Sequence, residues 1–298
     1  MHDGREFGKI AQREVLQLQS KHIEKEWQQL LRAEQSFLSR NMSPRSVGWQ
    51  EKIAKFVPDK LENTLNTAFY KAFDLIFDKG TGIIEKTYQK DKKEQNYKIN
   101  AYAADVRNTR WSLRAFGREA AASKNFNMAV STLEGVGMGI LGMGIPDIPL
   151  FIAVLLKSIY EIALSYGFSY DSEQEQIFIL KLIEIALSHD SALAEGNMEL
   201  NLWMQGKKSE VVVTEDGERQ EVEVEHATAR CFEISRSEQI KRTSDALAQE
   251  LLYLKFVQGL PVVGVVGGLS DMVYQKKISD YAAMKYKRRF LEMRRDGE

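Results

Sequence analysis

The 298-residue chain is poor in the residues that staple or punctuate a protein. It has one cysteine, Cys231, so an intrachain disulfide is excluded and a disulfide-built scaffold with it. It has five prolines, too few for a proline-rich or collagen-like chain. Its four histidines, His2, His22, His189 and His226, form no metal-binding spacing, and Cys231 has no partner cysteine. No Gly-x-Ser-x-Gly elbow and no phosphate-binding loop ending in Gly-Lys-Ser/Thr occurs. Neither charge sign dominates: 41 basic and 42 acidic side chains leave a net charge of −1, which argues against a nucleic-acid binder. The first residues lack the apolar stretch and small-residue site of a secretory signal, so the chain is expected inside the cell.

What is present is helical periodicity. Leu16, Ile23, Leu30 and Phe37 recur every seven residues, with Trp27, Leu31 and Leu38 alongside. Ser20 and Glu34 interrupt that seam, which favours a helix packed on its own chain over a dimeric coiled coil. Pro58 opens a second helical segment through Phe69 and Phe77. A polar stretch, Lys86–Lys98, reads as a helix end and a solvated loop. Residues 100–133 read as helix, with Trp111, Leu113 and Phe116 as core candidates. Ser172 and Glu175 have capping-box spacing, and the run Ile177–Leu187 is apolar nearly all round, as a central buried helix would be. Helices are expected from near His226 to Val257 and over 270–294. Between them, 207–225 reads as an acidic β-hairpin or loop: Asp216-Gly217 separates two valine-rich runs. Residues 210–225 hold seven acids and one arginine. The fold class is therefore all-α, a multi-helix bundle with buried central helices. The organisation expected is an N-terminal helical extension, 1–57, and a helical domain, 58–298.

Glycine is ordinary in number and uneven in placement. Nine of 20 glycines fall within 135–144 and 259–268. The first window runs Gly135-Val-Gly-Met-Gly139-Ile-Leu-Gly142-Met-Gly-Ile-Pro146-Asp147-Ile-Pro149. It contains the dinucleotide-binding spacing Gly-x-Gly-x-x-Gly, but no strand-like run precedes it and two prolines follow at once, so no long helix can open on those glycines. The second window includes Pro261, Gly264 and Gly268. Gly135 with Gly139, and Gly264 with Gly268, leave grooves where another backbone can approach. Two readings follow: tight packing in a soluble core, or contact of kinked apolar segments with a bilayer. A simple spanning helix does not fit, because Pro146, Asp147 and Pro149 divide the longer apolar run.

Charged candidates are few. Asp147 is placed to cap a helix beginning at Ile148 and Pro149. Lys157 and Glu161 stand four apart on that otherwise apolar helix, either as a mutual pair or as a desolvated acid–base site. The C-terminal helix carries Lys285, Lys287, Arg288, Arg289, Arg294 and Arg295 among Tyr286, Phe290 and Leu291. Cations there complement the helix dipole, or they attract an anionic surface.

The order of these features, a glycine-rich apolar run, Ile145-Pro146-Asp147-Ile148-Pro149, a long apolar helix closing in Tyr166-Gly167, then Pro261-Val-Val-Gly264 and Lys287-Arg288-Arg289, resembles the EcsC family over about residues 60–296. That family is named after a bacterial protein encoded beside the Ecs ABC transporter. The resemblance implies a mostly helical, cytoplasmic or membrane-associated protein and supplies no catalytic residue, metal or cofactor to carry over. The expectation is a non-enzymatic accessory or regulatory protein at the cytoplasmic face of a membrane. Its contacts would be an anionic surface or a membrane protein such as an ABC transporter. The alternative is a binding protein for a lipid-like ligand, or a hydrolase, with a cavity between the central helices and Asp147 and Glu161 as its polar groups.

Overall fold

The structure, a computed structural model, describes residues 3–42, 59–85, 89–107, 109–122, 147–205, 209–213, 219–223, 234–258 and 269–296. Its helices are α1 (Asp3–Asn41), α2 (Asp59–Leu75), which passes through one π turn (Ile76–Gly80) into α3 (Thr81–Glu85), α4 (Lys90–Arg107), α5 (Arg110–Ala122), α6 (Asp147–Ser165), α7 (Glu173–Leu187), α8 (Asp190–Gln205), α9 (Arg236–Gln258) and α10 (Leu269–Asp296). Two short strands, β1 (Ser209–Val213) and β2 (Arg219–Glu223), pair antiparallel between α8 and α9, with Val211 opposite Glu221. The all-α bundle is thus the observed architecture.

Helix α6 is the centre. Ile148, Ile152, Leu155, Leu156, Ile159 and Ile162 are all 0% exposed. The window Ile148–Ser165 is long and apolar enough to cross a membrane, yet 78% of it is buried inside the bundle. Helices α2, α4, α5 and α10 supply that cover. Pro149 lies buried in the first turn of α6, where its missing N–H breaks no helical hydrogen bond. After α6 the chain reverses at Gly167, whose φ is +85°, a conformation that L side chains avoid. The ring of Tyr97 fills the place a β-carbon would take.

Helix α7 starts at Ser172, whose hydroxyl accepts from the Glu175 amide at 3.2 Å. The carboxylate of Glu175 does other work, taking the Tyr286 hydroxyl and Arg289, each at 2.7 Å. The α1 seam packs on its own chain: Ile23, Trp27, Leu30 and Phe37 are buried in the common core. Each such side chain contributes about 1.5–3 kcal/mol.

Three readings of the sequence need correction. Helix α4 begins at Lys90, inside the stretch read as a loop, because Tyr97, Ala101 and Ala104 form an apolar stripe among the lysines and pack on the core. The helical reading of 100–133 breaks at Thr109, whose hydroxyl accepts from the Ser112 amide and caps α5. On α5, Leu113 and Phe116 are buried, whereas Trp111 is 66% exposed under the Arg118 guanidinium. Helix α9 starts at Arg236, with the Ser235 hydroxyl accepting from the Glu238 amide; residues 226–233 of the helix expected there lie outside the described residues.

Helix directions follow from side-chain pairs. Ser158 bonds Ser279 at 3.0 Å, and Tyr166 meets Phe290 further along, so α6 and α10 run parallel. Ser158 is eleven residues into α6 and Ser279 ten into α10, so at about 1.5 Å per residue the two helices begin level. Helix α9 finishes at the same end: the Glu250 carbonyl accepts from Tyr274, five residues into α10. Helix α1 runs antiparallel to α10, from Glu24 with Arg295 to Phe37 on Tyr281, so it finishes there as well.

Candidate functional site

Seven of the residues singled out in the sequence, Gly135, Gly139, Gly142, Pro146, Pro261, Gly264 and Gly268, lie outside the described residues. Their attachment is nevertheless fixed by the chain. Residues 135–146 run directly into α6 and residues 259–268 directly into α10, and both helices start at one end of the bundle.

Asp147 is the first residue of α6. Lys157 and Glu161 are buried and bond each other at 3.1 Å, the mutual pair of the two readings. Asp147 and Glu161 stand fourteen residues apart on one helix, about 21 Å along its axis. Among the described residues, no group of three or more His, Cys, Asp or Glu side chains is arranged to hold a metal ion.

The C-terminal cations are where the structure departs furthest from the sequence reading. Lys285 and Arg288 are buried, and each of the six cations meets a carboxylate. Lys285 is 1% exposed; its amine bonds Glu34 of α1 and reaches Asn197 and Asn201 of α8. Arg288, also buried, takes the other Glu34 oxygen at 2.9 Å and Glu292 at 3.1 Å. Lys287 bonds Glu26 at 2.9 Å, and Arg110 and Arg114 bond the same carboxylate from α5. Arg289 pairs with Glu175 and lies against Phe168 at 4.1 Å and Phe178 at 4.6 Å, with Trp203 and Tyr286 completing an aromatic surround. Arg294 reaches Asp105 at 2.9 Å and Arg295 reaches Glu24 at 3.6 Å.

Three buried glutamates, Glu26, Glu34 and Glu175, thus answer four cations within five residues of α10, Lys285, Lys287, Arg288 and Arg289. Burial pushes the Glu34 carboxyl up, but Lys285, Asn201 and Arg288 more than offset it and hold it below its ordinary value. Glu26 follows the same pattern, with Lys287 and Arg114 outweighing burial. Burial brings the Lys285 amine down to about 8, against the pull of Glu34. Burial first, then the neighbouring glutamates, push the hydroxyls of Tyr281 and Tyr286 well up, so both remain neutral donors: Tyr281 to Asn197 and Tyr286 to Glu175.

Alongside this network a groove of about 460 Å³ follows the α1–α10 seam, with Tyr166 in its lining. Sequence periodicity did not point to it. Ala33 of α1 and Ala283 of α10 are its smallest lining residues.

A helical bundle zipped by buried charges, with two apolar glycine-rich segments entering at one end, is the class that this architecture defines. The model of the EcsC protein family matches residues 17–291, so the chain belongs to the EcsC family. That match takes in the second half of α1 together with every later helix. The chain is also similar to Protein EcsC of Bacillus subtilis (strain 168), 26% identical over 164 residues. The aligned part is 54% of this chain and 61% of that relative's length. No solved structure matches.

Proposed function

We propose that this chain is an accessory protein of the cytoplasmic face of a membrane, which meets the membrane through the bundle end where α6 and α10 begin. The observation that carries this reading is the level, parallel start of those two helices. Two separate apolar, glycine-rich windows of the sequence, 135–146 and 259–268, are joined to those two helix starts. Such windows combine close backbone approach with little charge, which suits an interfacial contact. Exposed Val273, in the second turn of α10, and Met42, just past α1, lie at that same end.

The contact is assigned to the windows and not to the C-terminal cations. Arg288 lies nineteen residues from the start of α10, about 28 Å along the helix, and its charge is answered by Glu34 and Glu292. One membrane plane across the glycine-rich end does not reach it. An integral membrane protein at this face, an ABC transporter in particular, would be the partner.

Flotation of the full chain with phosphatidylglycerol-containing vesicles tests the reading. Wild type floats, Val263→Asp with Val265→Asp stays at the bottom while retaining its melting temperature, and Arg295→Glu still floats. A wild-type chain that stays in the bottom fraction, or a folded double variant that floats unchanged, ends this reading.

A further inference from the structure

The groove between α1 and α10 has a polarity of its own. Its walls are Leu30, Ala33 and Phe37 on one side and Ala283 and Met284 on the other, with Tyr166 between them. From Gln29 to Arg40 it follows α1 for eleven residues, about 16 Å. At the Gln29 end stands a surplus of positive charge. The single carboxylate of Glu26, 2% exposed, receives Arg110, Arg114 and Lys287, three cations to one anion. Arg114 also bonds the side chain of Gln29 in the groove wall at 3.1 Å. All three cations retain solvent access, with Arg114 the most exposed at 47%. Toward the opposite end the lining carries Asp280, which pairs with Lys276, and the single cation Arg40.

We propose that this groove binds a single-chain anionic amphiphile. Its tail lies in the trough between Ala33 and Ala283, and its charged head lies against Arg114, Lys287 and Arg110. The volume falls in the range of small-ligand sites. Leu30, Phe37, Ala283 and Met284 give an alkyl tail contacts that a wholly polar anion does not use. The charge surplus around Glu26 favours a carboxylate or phosphate head over a neutral one, because a second anion gives the three cations the partner that Glu26 alone cannot be. The residues named lie on α1, α5, α10 and the turn after α6, and the test needs no membrane.

The test uses the full chain without vesicles and a monomeric fluorescent amphiphile, dansyl-aminoundecanoic acid. Wild type binds it saturably, one per chain. Dodecanoate and dodecyl phosphate displace it, and their relative strength tells a fatty-acid head from a phosphate head. Dodecanol displaces it about tenfold more weakly, and inorganic phosphate does not displace it. Ala283→Leu narrows the trough and weakens binding at least about tenfold. Ala33→Leu, at an exposed position on the opposite wall, does the same if Ala283→Leu fails to fold. Arg114→Gln weakens dodecanoate and leaves dodecanol unchanged. Absence of saturable binding to wild type overturns the proposal. So does wild-type affinity in a folded alanine-to-leucine variant, and so does displacement by inorganic phosphate as effective as by dodecyl phosphate. Since no membrane is present, none of these failures bears on the flotation result.

Discussion

Replacing Glu34 by glutamine probes the principal contact between α1 and the rest of the bundle. Glu34 is 7% exposed and neutralises two cations at once, Lys285 and Arg288, neither of which has more than 8% side-chain exposure. Glutamine keeps the shape and one acceptor oxygen but removes the charge. Lys285 keeps Asn197 and Asn201, and Arg288 keeps Glu292, so the cations are left hydrogen-bonded but in charge excess. Removing one member of a buried pair costs about 3–5 kcal/mol, because the remaining charge stays desolvated. An exposed pair such as Arg242–Glu238, with both side chains more than half exposed, is worth about 0.2–1 kcal/mol. Urea unfolding followed by circular dichroism therefore separates the two variants: Glu34→Gln falls by about 3–5 kcal/mol and Glu238→Gln by under about 1. In a chain of this size the first loss lowers Tm by roughly 5–8 °C. A Glu34→Gln protein within about 1 kcal/mol of wild type would refute the assignment of α1 docking to this cluster.

Two further outcomes follow from the same network and from the turn after α6. Gly167→Ala places a β-carbon at φ +85° and within 2.2–2.7 Å of the Tyr97 ring, and should cost at least about 2 kcal/mol in urea unfolding; a loss under about 0.5 would mean that the turn tolerates side chains. Glu26 and Glu34 are both held below the carboxyl reference of 4.5 in the folded chain, so the unfolded chain binds more protons once pH drops toward that value. The stability they contribute is full above 4.5 and is lost as pH falls through their lower folded values. Stability measured from pH 6 downward should fall more gently in Glu26→Gln with Glu34→Gln than in wild type, and parallel slopes would remove these two carboxyls from acid unfolding.

Much of the fold was legible because apolar periodicity is a local property. The seven-residue recurrence of Ile23, Leu30 and Phe37 marked the buried face of α1, and the unbroken apolar run marked α7 as central. The misses came where a local pattern was weak or its cover was distant. The apolar stripe of α4 is made of Tyr97, Ala101 and Ala104, two of them alanines, and the surrounding lysines masked it. Trp111 has a helical register suited to burial, but α5 is covered on the Leu113–Phe116 face and Trp111 points away from it.

Charge was the least legible property, for a physical reason. A cation in solvent and a cation facing a buried acid look alike in a sequence window, and the partner decides. Glu34 read as a defect in the α1 seam, and Lys285 as part of a basic tail. The two lie 251 residues apart and are each other's explanation. The seam is interrupted by a glutamate because α10 delivers an amine and a guanidinium opposite it, and α10 carries Lys285, Lys287, Arg288 and Arg289 because α1 and α7 present Glu34, Glu26 and Glu175. Apolar packing alone would let α1 slide by a heptad along α10, since Ile23, Leu30 and Phe37 repeat at that interval. A slide of seven residues, about 10 Å, would part Glu34 from Lys285 and Glu26 from Arg110, Arg114 and Lys287, at a cost of several kcal/mol for any buried charge left stranded. The buried pairs therefore fix the register of α1, and with it which residues of α1 and α10 line the groove.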